Sequence, residues 1–217
     1  MNWRQRVFDN FKLYAVTDIK KRSTAVITAI EQALRGGADI VQLRSKALSD
    51  KEFFEIGKEV RKITRHYKKL FFINNRPDLA DILEADGIHL GQDDVPISVV
   101  RQFFSLRGKN IFIGKSTHSL MQAHAAERDG ADYIGVGPIF ATPTKKSYRP
   151  VGLELIKKVK RNIAVPFVCI GGINRATVED VLAAGAERVA VVRAIFSARN
   201  VEKAARSLKE IIHQHGK

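Results

Sequence analysis

Three stretches of this chain repeat one junction: "GGAD" (36–39), "DGAD" (129–132) and "AAGAE" (183–187). Each follows a segment of helical periodicity and precedes a short apolar run, so each reads as a helix end, a glycine turn and a strand start. Apolar runs of this kind occur eight times: "KLYAVTD" (12–18), "DIVQLR" (39–44), "LFFIN" (70–74), "GIHLG" (87–91), "IFIGKS" (111–116), "YIGVG" (133–137), "PFVCIGG" (166–172) and "RVAVVRA" (188–194). They are bounded by Gly, Pro, Asp or Asn and rich in Val, Ile or aromatic residues, as strands buried on both faces are. Helical patterns over 23–35, 50–67, 119–129, 174–184 and 201–214 lie between them, with Ser23, Ser49, Ser119 and Asn174 as N-caps and Gly36, Gly130 and Gly185 at C-terminal ends. Eight strand–helix units in 217 residues predict an α/β fold, a (β/α)8 TIM barrel in a single domain over 1–217. A doubly wound open sheet is the alternative. The regular count and the lack of an opening G-x-G-x-x-G argue against it.

Composition narrows the function classes. The net charge is +14, which admits nucleic acid, an anionic membrane or acidic small substrates as partners. The cations are scattered at helical spacing on polar faces, without the interleaved aromatics of a single-strand-binding surface. Most of the excess therefore reads as a lysine-rich soluble surface; the expected partners, on the strand-end groups described next, are phosphorylated small molecules, with no nucleic acid and no membrane, and a homo-oligomer is left open. No apolar run approaches the roughly 20 residues of a membrane span. The single cysteine, Cys169, allows no disulfide within the chain, and the N-terminal "MNWRQRVFDNFK" lacks the apolar core of a signal peptide, so the expected location is cytoplasmic.

In a barrel of this kind the site forms where strands end and the loops to the next helix begin. The strand containing "VQLRSK" (41–46) turns Gln42, Arg44 and Lys46 to one face and Val41, Leu43 and Ser45 to the other. The remaining strand ends supply Thr17-Asp18, Asn74-Asn75-Arg76, His89 with Gln92-Asp93-Asp94, Lys115-Ser116-Thr117-His118, the loop "GPIFATPTKKSYRP" (137–150), Gly171-Gly172 and Val192-Arg193. Arg44, Lys46, Lys145, Lys115 and Arg193 are cations suited to phosphate oxygens. Gly171-Gly172 allows close backbone approach to an anion, and Thr142 and Thr144 add hydroxyls. Asp93 and Asp94 suit magnesium, which takes one or two carboxylates plus substrate phosphates. Each feature has a plainer reading alone: a tight turn for Gly-Gly, a solvated turn for Asp-Asp, a packed strand-end residue for His89, a helix cap for His118. Their concentration on one rim points to an enzyme acting on a phosphorylated substrate and a magnesium-bound polyphosphate.

The segments "QLRSK", "NNRPDLA", "ADGIHLGQDD", "IGKSTHS", "ADYIGVGPIFATPTKK" and "VCIGGI" resemble the thiamine-phosphate synthase family, in that family's order from about residue 12 to 212. The resemblance implies a transferase of thiamine biosynthesis. It would join 4-amino-5-hydroxymethyl-2-methylpyrimidine diphosphate to a thiazole phosphate, giving thiamine phosphate and pyrophosphate, with loss of carbon dioxide when the thiazole is carboxylated. It implies that Gln42, Arg44, Lys46, Asn74, Ser116 and Lys145 hold the pyrimidine diphosphate, with Arg44, Lys46, Lys145 and Ser116 catalytic. Asn75 and Asp94 match its Mg2+ ligands, and Thr142, Thr144, Gly172, Val192 and Arg193 its thiazole-phosphate site. Two positions depart from the family: Asn75 stands where Asp is common, and Arg193 where Ser is frequent. A related branch, the thiazole tautomerases, is the alternative, with His118 in proton transfer; its members tend to lose "GQDD" and the loop threonines that this chain keeps. A basic nucleic-acid-binding barrel is a third reading.

Overall fold

The computed structural model describes residues 2–143 and 149–215. Eight strands, β1 Leu13–Val16, β2 Ile40–Leu43, β3 Leu70–Asn74, β4 Gly87–Leu90, β5 Phe112–Thr117, β6 Tyr133–Val136, β7 Phe167–Ile170 and β8 Val189–Val191, close in sequence order into one parallel barrel. The helices are α1 Trp3–Asn10, α2 Thr24–Arg35, α3 Asp50–His66, α4 Pro77–Ile82, α5 Ile97–Ser105, α6 Leu120–Arg128, α7 Gly152–Asn162, α8 Val178–Ala183, α9 Arg193–Phe196 and α10 Val201–His215. The TIM-barrel expectation holds, and the sheet is closed rather than open.

Strand alternation divides the core in two. Val41, Leu43, Phe71, Ile73 and Ile113 face outward into the layer beneath the helices. Tyr14, Ile40, Phe72, Tyr133, Val168 and Ala190 face inward and fill the barrel. Gly114 on β5 exists to admit one of these rings: a Cβ there would sit 2.1 Å from the Tyr133 ring. The N-terminal segment, read above only as lacking a signal peptide, forms α1. It closes the bottom of the barrel with Phe8, which stacks on Phe112 at 3.9 Å between centroids, and with the fully buried Phe11.

The caps follow the sequence with one exception. Ser49 forms a full capping box with Glu52, and Ser119 accepts from the Gln122 amide. Ser23 occupies its N-cap position without a side-chain bond. Asn174 does not cap α8. The helix begins four residues later, and the Asn174 carboxamide instead accepts from the Ala176 amide in a turn that precedes it.

At two of the three repeated junctions the acidic residue has a structural reason, and a fourth junction shares it. Asp39 accepts from the Lys12 and Leu13 amides (2.9 and 3.1 Å), Asp132 from Ile113 (2.6 Å), and Asp86, in "EADG", from Phe71 (2.9 Å). Each carboxylate ties the start of the preceding strand to its neighbour at the bottom rim. Burial raises the pKa of Asp39, but Lys69 at 2.9 Å and Lys209 outweigh it and leave it below the usual carboxylate range. A depressed folded pKa contributes stability that is complete above the unfolded value and lost as pH falls through the folded one. We therefore expect Asp39→Asn to lose about 2 kcal/mol at neutral pH. The variant should also show a shallower further loss than the parent on acidification below about pH 4, measured by denaturant unfolding.

Candidate active site

The C-terminal ends of the strands enclose a cavity of about 920 Å³. Its floor is Tyr14 and Val16, and β2 forms one wall. Gln42 lies deepest, against Tyr14; Arg44 follows, then Lys46 at the exposed rim. Each step of two residues along a strand rises about 6.6 Å, so this wall changes from neutral amide to cations toward the mouth. Arg44 is held from both ends. Its amide donates to Thr17 Oγ1 at 2.8 Å, and its guanidinium pairs with Asp18. Partial burial raises the Asp18 pKa, but Lys20 and Arg44 outweigh it and hold that carboxyl below its usual range. Asp18 therefore stays ionised and fixes the Arg44 fork.

The adjoining wall is assembled from β3, β4 and β5. Asn74, Asn75, Asp94 and Ser116 all line the cavity. Asn75 has φ +47°, a left-handed conformation that Asn tolerates better than most residues. Its amide nitrogen donates to Asp94 Oδ1 at 3.2 Å, and its oxygen accepts from Asn74 at 2.8 Å. Asp94 Oδ2 accepts from the Gly91 amide at 2.6 Å, which folds the loop after β4 and aims the carboxylate inward. Among the described residues no group of three or more His, Cys, Asp or Glu side chains could hold a metal. Asp94 and Asn75 offer one carboxylate and one amide oxygen after amide rotation. That set fits magnesium, which keeps waters and substrate phosphates as its other ligands.

The ends of β6, β7 and β8 form the third side. Thr142, Gly172, Val192 and Arg193 line it. Gly172 has φ +68°, and a Cβ there would meet Phe140 Cβ at 2.6 Å and the Ala141 carbonyl at 2.9 Å, so this turn requires glycine. Arg193 is the first residue of α9 rather than the end of β8. Thr144 and Lys145, both expected at this site, lie outside the described residues.

Two strand-end readings are corrected. Lys115 does not face the cavity. Ser116 does, pairing with Gly135, so alternation turns Lys115 outward beside Ile134. His89 is more than a packed strand end: it lines the cavity, with Nε2 2.9 Å from Ser116 Oγ and Nδ1 2.9 Å from Tyr133 Oη. Gln92 and Asp93 also line the cavity, as does His118, whose Nδ1 meets the Gly137 carbonyl. Cys169 is buried behind β7, and burial pushes its thiol pKa up, away from nucleophilic use.

Known proteins share this arrangement along almost the whole chain. Residues 13–195 match the family model described as thiamine monophosphate synthase. A thiamine-phosphate synthase of Pyrococcus abyssi is 42% identical over 206 residues, 95% of this chain and 97% of that protein. One from Chloroflexus aurantiacus is 42% identical over 205 residues, 94% of this chain and 93% of its own. A solved thiamine phosphate pyrophosphorylase from Pyrococcus furiosus superposes with a TM-score of 0.87 at 37% identity, covering 99% of each chain. No helix among the described residues is long and apolar enough to cross a membrane. With the barrel, the graded β2 wall and these matches in agreement, the chain belongs to the thiamine monophosphate synthase family.

Proposed function

We propose that this cavity joins 4-amino-5-hydroxymethyl-2-methylpyrimidine diphosphate to a thiazole phosphate, releasing pyrophosphate, in the cytoplasm. The observation that carries the reading is the convergence of Gln42, Arg44, Lys46, Asn74, Asn75, Asp94 and Ser116 on one cavity, graded from neutral floor to cationic rim. A pyrimidine ring suits the floor and its diphosphate the rim. Asp94 and Asn75 would hold a magnesium ion, which when bound neutralises diphosphate charge. Thr142, Gly172, Val192 and Arg193, with Thr144, would take the thiazole phosphate on the facing side, where barrels of this type commonly bind phosphate.

The reaction needs no nucleophilic side chain. The methylene C–O bond breaks with its electron pair going to the departing diphosphate. The ring amino group stabilises the resulting cation, and the thiazole nitrogen lone pair forms the new C–N bond. Arg44, Lys46 and Lys145 would stabilise the charge that grows on the leaving group, and the cavity walls would align the second ring.

The thiazole-tautomerase reading is not favoured. Full-length relatives carry the synthase name, and His118 Nδ1 is engaged by a backbone carbonyl. Nothing in the structure favours the nucleic-acid reading. The test is incubation with both substrates, with and without magnesium. Magnesium-dependent thiamine phosphate is expected, and its absence from folded protein would sink the proposal.

A further inference from the structure

An unbroken chain of hydrogen bonds crosses the barrel at the floor of the cavity. Gln42 Nε2 donates to Tyr14 Oη at 2.7 Å, and Tyr14 Oη lies 3.1 Å from Tyr133 Oη. Tyr133 Oη is 2.9 Å from His89 Nδ1, and His89 Nε2 is 2.9 Å from Ser116 Oγ. The two ends belong to the proposed pyrimidine site. The three middle members, Tyr14, Tyr133 and His89, have no role in the reaction derived above.

With His89 neutral, one direction of donation fits the Gln42–Tyr14 bond and carries through the whole chain. Both tyrosines are buried, and burial raises both hydroxyl pKa values, so each keeps one proton to give. An amide nitrogen only donates, so Tyr14 accepts from Gln42. The Tyr14 proton then goes to Tyr133, the only acceptor it has among the described residues. A neutral His89 takes the Tyr133 proton at Nδ1 and carries its own ring proton on Nε2, facing Ser116. Ser116 accepts that proton and turns its own hydroxyl proton into the cavity. At the other end Gln42 Oε1 is the atom left for a ligand. Reversing one member would require reversing all of them.

We propose that Tyr14, Tyr133 and His89 are positioning residues that set ligand specificity by locking Gln42 as a hydrogen-bond acceptor and Ser116 as a donor. The pattern complements an aromatic ring with an amino group on one edge and an unprotonated nitrogen on another. A ring carrying an oxo group in place of the amino group sets an acceptor against Gln42 Oε1 and is disfavoured. The inference rests on the proposed assignment of this floor to the pyrimidine ring.

The test is competition binding of 4-amino-5-hydroxymethyl-2-methylpyrimidine diphosphate and its 4-oxo counterpart, read as the ratio of their dissociation constants. Tyr14→Phe keeps the ring and removes the hydroxyl that holds the Gln42 amide, which becomes free to turn its nitrogen to the cavity. The preference for the amino ligand is expected to fall about tenfold or more, because sites that pair polar ligand groups discriminate strongly. The KM for the thiazole phosphate should change by less than about twofold. Tyr133→Phe cuts the chain one bond further on, should lower the preference in the same direction, and replaces the first variant if that one does not fold. An amino-to-oxo ratio unchanged in a folded variant would overturn the relay. A wild-type protein that binds the amino ligand selectively yet yields no thiamine phosphate would overturn the proposed reaction and leave the relay standing.

Discussion

Arg44→Ala is expected to lower kcat about 10²- to 10³-fold, the range seen when one preorganised charge-stabilising group is removed. The guanidinium is almost fully enclosed, with only 9% of the side chain exposed, and Asp18 fixes it beside the proposed diphosphate. A departing pyrophosphate gains negative charge between ground and transition state, so a cation held there favours the transition state more than the bound substrate. The effect should therefore appear mainly in kcat, with a smaller rise in KM for the pyrimidine diphosphate. Arg44→Lys retains a charge without the planar fork and should recover only part of the rate. Asp18→Asn should weaken turnover less than either, because the guanidinium remains and only its anchor changes. Steady-state kinetics on the three variants, beside thermal unfolding to show that each is folded, decide the matter. Arg44→Ala turning over within about threefold of the parent would remove Arg44 from the machinery.

The β2 wall was legible in the sequence because its information is local. Strand periodicity alone places Gln42, Arg44 and Lys46 on one face, and the apolar start of the run says that this face leads into a barrel. The eight strands were legible for a related reason: parallel strands covered on both faces read as unbroken apolar runs. What could not be read depends on how distant elements meet. Lys115 and Ser116 are adjacent, and only the register of β5 against β6 decides which of them faces inward. His89 joins the site through Tyr133, 44 residues away, and through Ser116, 27 residues away. The helix α1 is eight residues long and plugs a barrel that must exist before its aromatic face has anywhere to pack. The junction aspartates show both sides of this. The repetition at Asp39 and Asp132 was visible, while the strand amides they accept from, 26 residues away for Asp39 and 19 for Asp132, were not.

Asp94→Asn is expected to lower kcat/KM about 100-fold at millimolar magnesium, with part of the loss recovered at higher magnesium. The exchange preserves shape, and Asn can still present an oxygen to the Gly91 amide, so the turn after β4 should survive. What disappears is the Asp94 charge that faces Asn75. The opposite change is expected at the neighbouring position. Asn75→Asp replaces an amide that now donates to Asp94 with a second carboxylate. Two like charges at that separation disfavour one another unless a cation lies between them. The variant should thus be less heat-stable than the parent without divalent ions, bind magnesium about tenfold more tightly, and gain more stability as magnesium is added. The left-handed backbone at this position does not oppose the exchange, since Asp enters that region almost as readily as Asn. Thermal unfolding over a magnesium titration reads the affinity without reference to turnover. If neither variant moves that titration, Asp94 and Asn75 do not hold the ion, and the role of this side of the cavity is confined to shaping the loop after β4.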